Sequence, residues 1–180
     1  MTLRLVPFVV CCAFGLLAGC HPHRDAPALI AAVAPAASIP LRTPRPGLFT
    51  AGQPAPSDWQ AIAARGVSTV VNLRTDKEME GRDEAAEVQA AGMRYVAIPV
   101  AGADGLDDAS AVRLRDALQA APGPVLVHCS SANRTGGLLA LMAARGEGLP
   151  AERAIALGRA AGMASTETRV RALLGVPAQP

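Results

Sequence analysis

The chain has 180 residues, with 17 Lys and Arg against 15 Asp and Glu for a net charge of +2. That length suffices for one domain with a real hydrophobic core and some length left for a leader and a tether. A near-balanced charge with no basic stripe or aromatic series excludes a nucleic-acid-binding surface. Aromatic residues are few (Phe8, Phe14, Phe49, Trp59 and Tyr95), so the core must be built from Val, Leu, Ile and Ala.

In chain order, Met1-Thr2-Leu3-Arg4 precedes an apolar run from Leu5 to Gly19. A single early charge, a short apolar stretch and small residues at its end predict a secretory signal peptide over residues 1–19, too short to span a bilayer core of ~30 Å. Leu17-Ala18-Gly19-Cys20 resembles the lipobox of bacterial lipoproteins. That resemblance implies an exported protein anchored in a membrane through acyl chains on Cys20 and facing the periplasm, each buried methylene contributing roughly 0.8 kcal/mol. An ordinary cleaved signal with a cysteine nearby is the alternative. Residues 20–46, with prolines at 22, 27, 35, 40, 44 and 46, are predicted to form an Ala/Pro-rich tether. His21 and His23 read as solvated residues of that tether rather than metal ligands, and neither a metal nor a cofactor is expected.

From Gly47 the chain alternates short apolar runs with helical stretches, predicting one α/β domain over residues 47–177. Gly47 to Ala51 reads as a short edge strand and Gly52-Gln53-Pro54 as a turn. Ser57 to Gln60 has the spacing of a capping box, opening a helix that stops at Gly66. Val67 to Leu73 is apolar on both faces, as in a buried parallel strand. A helix over Asp83 to Ala91, a strand over Met93 to Val100, a helix over Asp108 to Ala120 and a strand over Pro124 to His128 follow. Three helices close the chain, over Thr135 to Arg145, Ala151 to Ala161 and Thr166 to Leu174. This order implies a parallel-dominated sheet with helices on both faces.

Cys11 and Cys12 fall in the leader and Cys20 in the lipobox, which leaves Cys129 alone in the domain. It stands at the carboxyl end of a predicted buried strand, in Val125-Leu126-Val127-His128-Cys129-Ser130-Ser131-Ala132-Asn133-Arg134-Thr135-Gly136-Gly137, and a helix follows. Ligands of open α/β sheets bind at that edge. Loop amides and the positive end of the helix dipole suit an oxyanion there, so Ser130, Ser131, Ala132, Asn133, Arg134 and Thr135 are predicted to bind the anionic part of the substrate. The same field and Arg134 should depress the Cys129 pKa and make it a nucleophile at neutral pH. Arg134 can grip two oxygens at once, Thr135 can donate to the sulfur, and Gly136 and Gly137 leave room for neighbouring backbone.

This segment resembles the active loop of cysteine-dependent phosphatases, the dual-specificity branch in particular, which reads His-Cys, five residues, Arg, then Ser or Thr. Here four residues, Ser130 to Asn133, separate Cys129 from Arg134, a spacing similar to that of rhodanese sulfurtransferases. The usual loop glycines are missing, and Asn133 is the residue expected to tolerate a left-handed backbone. Four blocks in order look like the phosphatase-like domain of beta-lactamase-hydrolase-like proteins: Phe49 to Pro54, Gly66-Val67 through Val70 to Arg74, Gly92 to Val100, and Pro124 to Cys129. The resemblance implies a dual-specificity-phosphatase-like fold and a hydrolase working through a cysteinyl-phosphate on Cys129. Arg134 would stabilise the equatorial oxygens and Asp104, with Asp107 next in line, would protonate the leaving group. Asp107 and Asp108 read more simply as the cap and first turn of the next helix. Arg74 is open to two readings, substrate contact or an ion pair with Glu78 or Glu84. A sulfurtransferase forming a persulfide on Cys129 and a non-catalytic anion-binding lipoprotein stay as alternatives, so the partner is a phosphate- or sulfur-bearing substrate.

Overall fold

The structure is a computed structural model that describes residues 36–177. The predicted leader over residues 1–19, Cys20, His21, His23 and most of the tether lie outside the described residues. No helix among the described residues is long and apolar enough to cross a membrane.

Five strands, β1 (Arg42–Arg45), β2 (Leu48–Ala51), β3 (Thr69–Asn72), β4 (Arg94–Ala97) and β5 (Val125–His128), form one sheet in the order β1-β2-β5-β3-β4. Only the β1 pairing with β2 is antiparallel. The six helices are α1 (Trp59–Ala63), α2 (Glu84–Ala90), α3 (Asp108–Gln119), α4 (Asn133–Gly146), α5 (Ala151–Ala160) and α6 (Glu167–Leu174). The strand that comes last in the chain lies in the middle of the sheet, and its residues are all buried. Strand periodicity divides the core. Val71, Val125 and Val127 pack in a cluster with Leu138, Leu139, Met142 and Ile155 from α4 and α5, whereas Val70 and Leu126 pack in another with Trp59, Ile62 and Val88 from α1 and α2. Helices therefore cover both faces, as the alternation of elements predicted.

Two expectations need correction at the start of the domain. Four residues assigned to the tether form β1, so β2 is an interior strand rather than an edge. Composition hid β1, because a short strand whose first residues are exposed needs no apolar run. Ser38 is also tied to the domain, its amide and hydroxyl donating to the Asp58 carboxylate at 2.6 and 3.0 Å. That carboxylate also accepts from the Ala55 amide at 2.8 Å. Asp58 thus organises the entry to α1 in place of the Ser57 and Gln60 capping box, since a 3-10 turn over Pro56–Asp58 precedes the helix.

The last helices are held close by glycine. A Cβ on Gly136 would lie 2.3 Å from the Met163 amide nitrogen and 2.4 Å from the Gly158 carbonyl oxygen. At Gly137 the neighbours are the Leu106 and Thr166 side chains. The backbone of α4 consequently rests against that of α5, which fixes where the first turn of α4 points.

Candidate active site

β5 delivers Cys129 to the sheet edge with little freedom. The His128 carbonyl accepts from the Leu73 amide at 2.9 Å, and the Ser130 carbonyl accepts from the Gln53 amide at 3.2 Å. The ends of β2 and β3 thus grip the loop from both sides. His128 and Cys129 are adjacent and point to opposite faces of the sheet, His128 toward α1 and α2 and Cys129 toward α4.

Cys129 is 1 % exposed. Burial pushes its thiol pKa up, but the Thr135 and Ser131 amides, the Thr135 hydroxyl and the Arg134 charge together bring it below the usual thiol value. The Thr135 hydroxyl is buried and finds no nitrogen or oxygen partner among the described residues, which leaves it free for the sulfur. Donors from Ser131, Thr135 and Arg134 thus converge on Cys129.

The turn of the loop is made by Ala132, with φ +69, and not by Asn133. Ala132 is a fully buried L-residue in the left-handed region, and its methyl sits where a Cβ on Gly162 would come within 2.6 Å. Asn133 instead opens α4, and its side chain works outward. Its Oδ1 accepts from the amides of Ala164 and Thr166 at 2.8 and 3.2 Å and from the Thr166 hydroxyl at 2.9 Å, while its amide nitrogen donates to Ser165 at 2.7 Å. The Asn133 side chain is therefore a strut between the loop and residues 164–166, and its carbonyl accepts from the Thr166 hydroxyl as well, at 2.9 Å.

Arg134 is 9 % exposed, and both of its Nη atoms are held by protein acceptors. Nη1 donates to Glu78 Oε2 at 2.7 Å and the Val100 carbonyl at 2.8 Å. Nη2 donates to Glu78 Oε1 at 2.6 Å and Ser130 Oγ at 2.9 Å. Glu78 is the site residue that the sequence reading placed only as a partner of Arg74. Its Nε–Oε1 distance to Arg74 is 3.8 Å, longer than either contact to Arg134. The bond to Arg134 outweighs burial and, with donors from Thr75 and Ser130, holds the Glu78 carboxyl well below the usual carboxylate range. The spacing Thr75-x-x-Glu78 is that of a capping box, formed here around a 3-10 turn at Asp76–Met79, and it was the available signal.

Arg74 turns to protein acceptors on both sides, donating to Gln53 Oε1 at 2.5 Å and to the Glu78 carbonyl. Gln53 in turn donates to Glu84 Oε2, and Glu84 Oε1 pairs with His128 Nε2 at 2.8 Å with both side chains fully buried. Burial raises the Glu84 pKa, but His128, Gln53 and Arg82 together bring it below the ordinary value. Of the two readings of Arg74 the structure shows the ion pair, made with Glu78. Arg74 reaches Glu84 only through Gln53.

The acid side differs. Asp104 lies on an exposed turn after Val100 and makes no hydrogen bond or ion pair among the described residues. Asp107 caps α3, accepting from the Ser110 amide at 2.7 Å, as the simpler reading of that pair held. No group of three or more His, Cys, Asp or Glu side chains among the described residues is placed to hold a metal.

Comparison with known proteins bears on the same segment. Residues 40–146 match the model of the beta-lactamase hydrolase-like protein, phosphatase-like domain. A beta-lactamase hydrolase-like protein from Agrobacterium fabrum is 34 % identical over 91 residues, 48 % of this chain and 21 % of that protein. The chain spans 21 to 27 % of the length of such relatives. A dual specificity protein phosphatase TpbA from Pseudomonas aeruginosa is 35 % identical over 146 residues, 78 % of this chain and 63 % of that protein. The crystal structure of a TpbA variant in complex with phosphotyrosine superposes with a TM-score of 0.60 at 28 % identity, covering 80 % of this chain and 89 % of that one. A phosphatase from Neisseria meningitidis shares the fold with a TM-score of 0.61 at 24 % identity, over 72 % of this chain and 94 % of that one. The sheet that ends in Cys129, the loop closed by Arg134 and a family match over more than half of the sequence agree: the chain belongs to the phosphatase-like domain family of beta-lactamase hydrolase-like proteins, with a dual-specificity-phosphatase-like fold.

Proposed function

We propose that the protein is a cysteine-dependent phosphatase that hydrolyses phosphate monoesters through a cysteinyl-phosphate intermediate. One observation carries this reading: a buried sulfur at the end of β5 is held below the usual thiol pKa, against its burial, by the Thr135 and Ser131 amides and the Arg134 guanidinium. The Cys129 thiolate attacks phosphorus and the bond to the leaving oxygen breaks. Arg134 and the loop amides hold the equatorial oxygens as charge develops on them. Asp104 delivers the proton to the departing oxygen, and a water then splits the sulfur–phosphorus bond to release inorganic phosphate. The phosphotyrosine bound by the TpbA variant favours an aryl phosphate among the possible esters.

The spacing of four residues between Cys129 and Arg134 favours one second reading, transfer of sulfane sulfur with a persulfide on Cys129. Parallel assays of the full chain with an aryl phosphate, and with thiosulfate and cyanide, separate the two, Cys129→Ser serving as control. Phosphate release without thiocyanate is expected. Thiocyanate alone would transfer the assignment to sulfur chemistry, and silence in both would leave an anion-binding protein. We further infer that Cys20 carries acyl chains that hold the domain on the periplasmic side of a membrane, with the chain up to β1 as tether. Mass analysis of the mature N-terminal peptide tests this, an unmodified Cys20 being the refuting result.

A further inference from the structure

We propose that Glu78 is the positioning residue of Arg134: its carboxylate clamps the edge formed by Nη1 and Nη2, so that the side of the guanidinium carrying Nε is turned to the sulfur and the bound anion. The inference rests on the phosphatase reading and extends it to a residue outside the Cys129 to Arg134 loop.

The bonds around Glu78 are those of a strut. Besides the two bonds to Arg134, Oε1 accepts from the Ser130 hydroxyl at 2.9 Å, and Oε2 accepts from the Thr75 amide and hydroxyl at 3.0 and 3.1 Å. Arg74 holds the Glu78 carbonyl from the other side. A side chain fixed by five donors costs more to displace than the Ser130 hydroxyl, the other side-chain acceptor on Arg134. The N–H groups of Nη1 and Nη2 are taken by Glu78, the Val100 carbonyl and Ser130. Nε has no oxygen partner among the described residues. An incoming oxyanion can take Nε and displace the Ser130 hydroxyl, which only has to rotate, while Glu78 stays in place. The opposite role, an internal anion blocking the site, would require breaking all five bonds at each turnover. A general-acid role fails as well, because a carboxyl held so far below its usual range carries no proton near neutral pH.

Two measurements on the full chain test the proposal. The first does not depend on turnover: in low-temperature ¹⁵N-edited spectra, with Arg134→Lys used for assignment, a clamped guanidinium rotates slowly and gives separate Nη signals. Wild type should show them, and Glu78→Gln, which keeps the shape and halves the acceptors, should merge them. Merged signals in wild type, or resolved signals in a folded Glu78→Gln, overturn the clamp whatever the activity. The second is a double-mutant cycle in kcat. Glu78→Gln should lower kcat roughly 10-fold with Arg134 present and by less than about twofold in the Arg134→Lys background, because a residue acting through Arg134 has nothing further to lose. Equal losses in both backgrounds would mean a general structural role, and a rise in kcat/KM would mean a blocking carboxylate. Absence of phosphate release by wild type would refute the phosphatase reading and leave the spectroscopic result standing.

Discussion

The loop from Cys129 to Thr135 and the turn from Ala101 to Leu106, which the proposed mechanism assigns to one reaction, are built in opposite ways. In the first, the chain around Cys129 is held by the Gln53 and Leu73 amides, Glu78 holds the guanidinium and the Ser130 hydroxyl, and Cys129, Ala132, Arg134 and Thr135 are buried. In the second, Asp104 is exposed and unbonded. Stabilising a developing negative charge requires dipoles fixed before the reaction, whereas donating a proton requires only that an acid reach the leaving oxygen once substrate is bound. Under the proposed mechanism the side of Cys129 is preorganised and the side of Asp104 is left to the substrate.

The contrast can be broken most sharply at Arg134. Arg134→Ala should lower kcat on the order of 10³-fold in steady-state phosphate release, since it removes the charged partner of the transition state. Behind the loop, Glu84→Ala leaves His128 buried without its carboxylate and should cost about 3 kcal/mol in urea denaturation. The pH dependence has a definite sign. Because the folded Glu84 pKa is depressed, its contribution is present above the unfolded value of about 4.3 and is lost as pH falls through the folded value. Glu84→Gln should therefore flatten the decline in stability below about pH 5.

On the acid side, Asp104→Asn should lower kcat about 10²-fold for phenyl phosphate and clearly less for p-nitrophenyl phosphate, whose leaving group needs no proton. An equal loss on both substrates would show that Asp104 is not the acid. Gly136→Ala drives a methyl into the backbone at Met163 and Gly158, and should destabilise by about 2 kcal/mol, read as a lower Tm. The smallest effect belongs to Ala132→Gly. Relief of the left-handed strain, about 1–2 kcal/mol, exceeds the entropy cost of glycine, about 0.5–1 kcal/mol, so the net change should be a slight gain in stability.

The sequence by itself determined the α/β alternation, the buried strand β5, the place of Cys129 at that strand's carboxyl edge and the cap on α3. Apolar periodicity and capping spacing are local codes, written within a few residues. Only the tertiary structure decided that Arg42–Arg45 is a strand, that Ala132 rather than Asn133 makes the left-handed turn, and that Glu78 rather than an unpartnered approach completes Arg134. Each of these depends on a contact between segments distant in the chain: β1 on β2, Asn133 drawn outward by residues 164–166, and the 3-10 turn after β3 folded against the loop after β5. A carboxylate 56 residues from its arginine leaves no periodic trace, because packing, and not spacing, brings the two charges together.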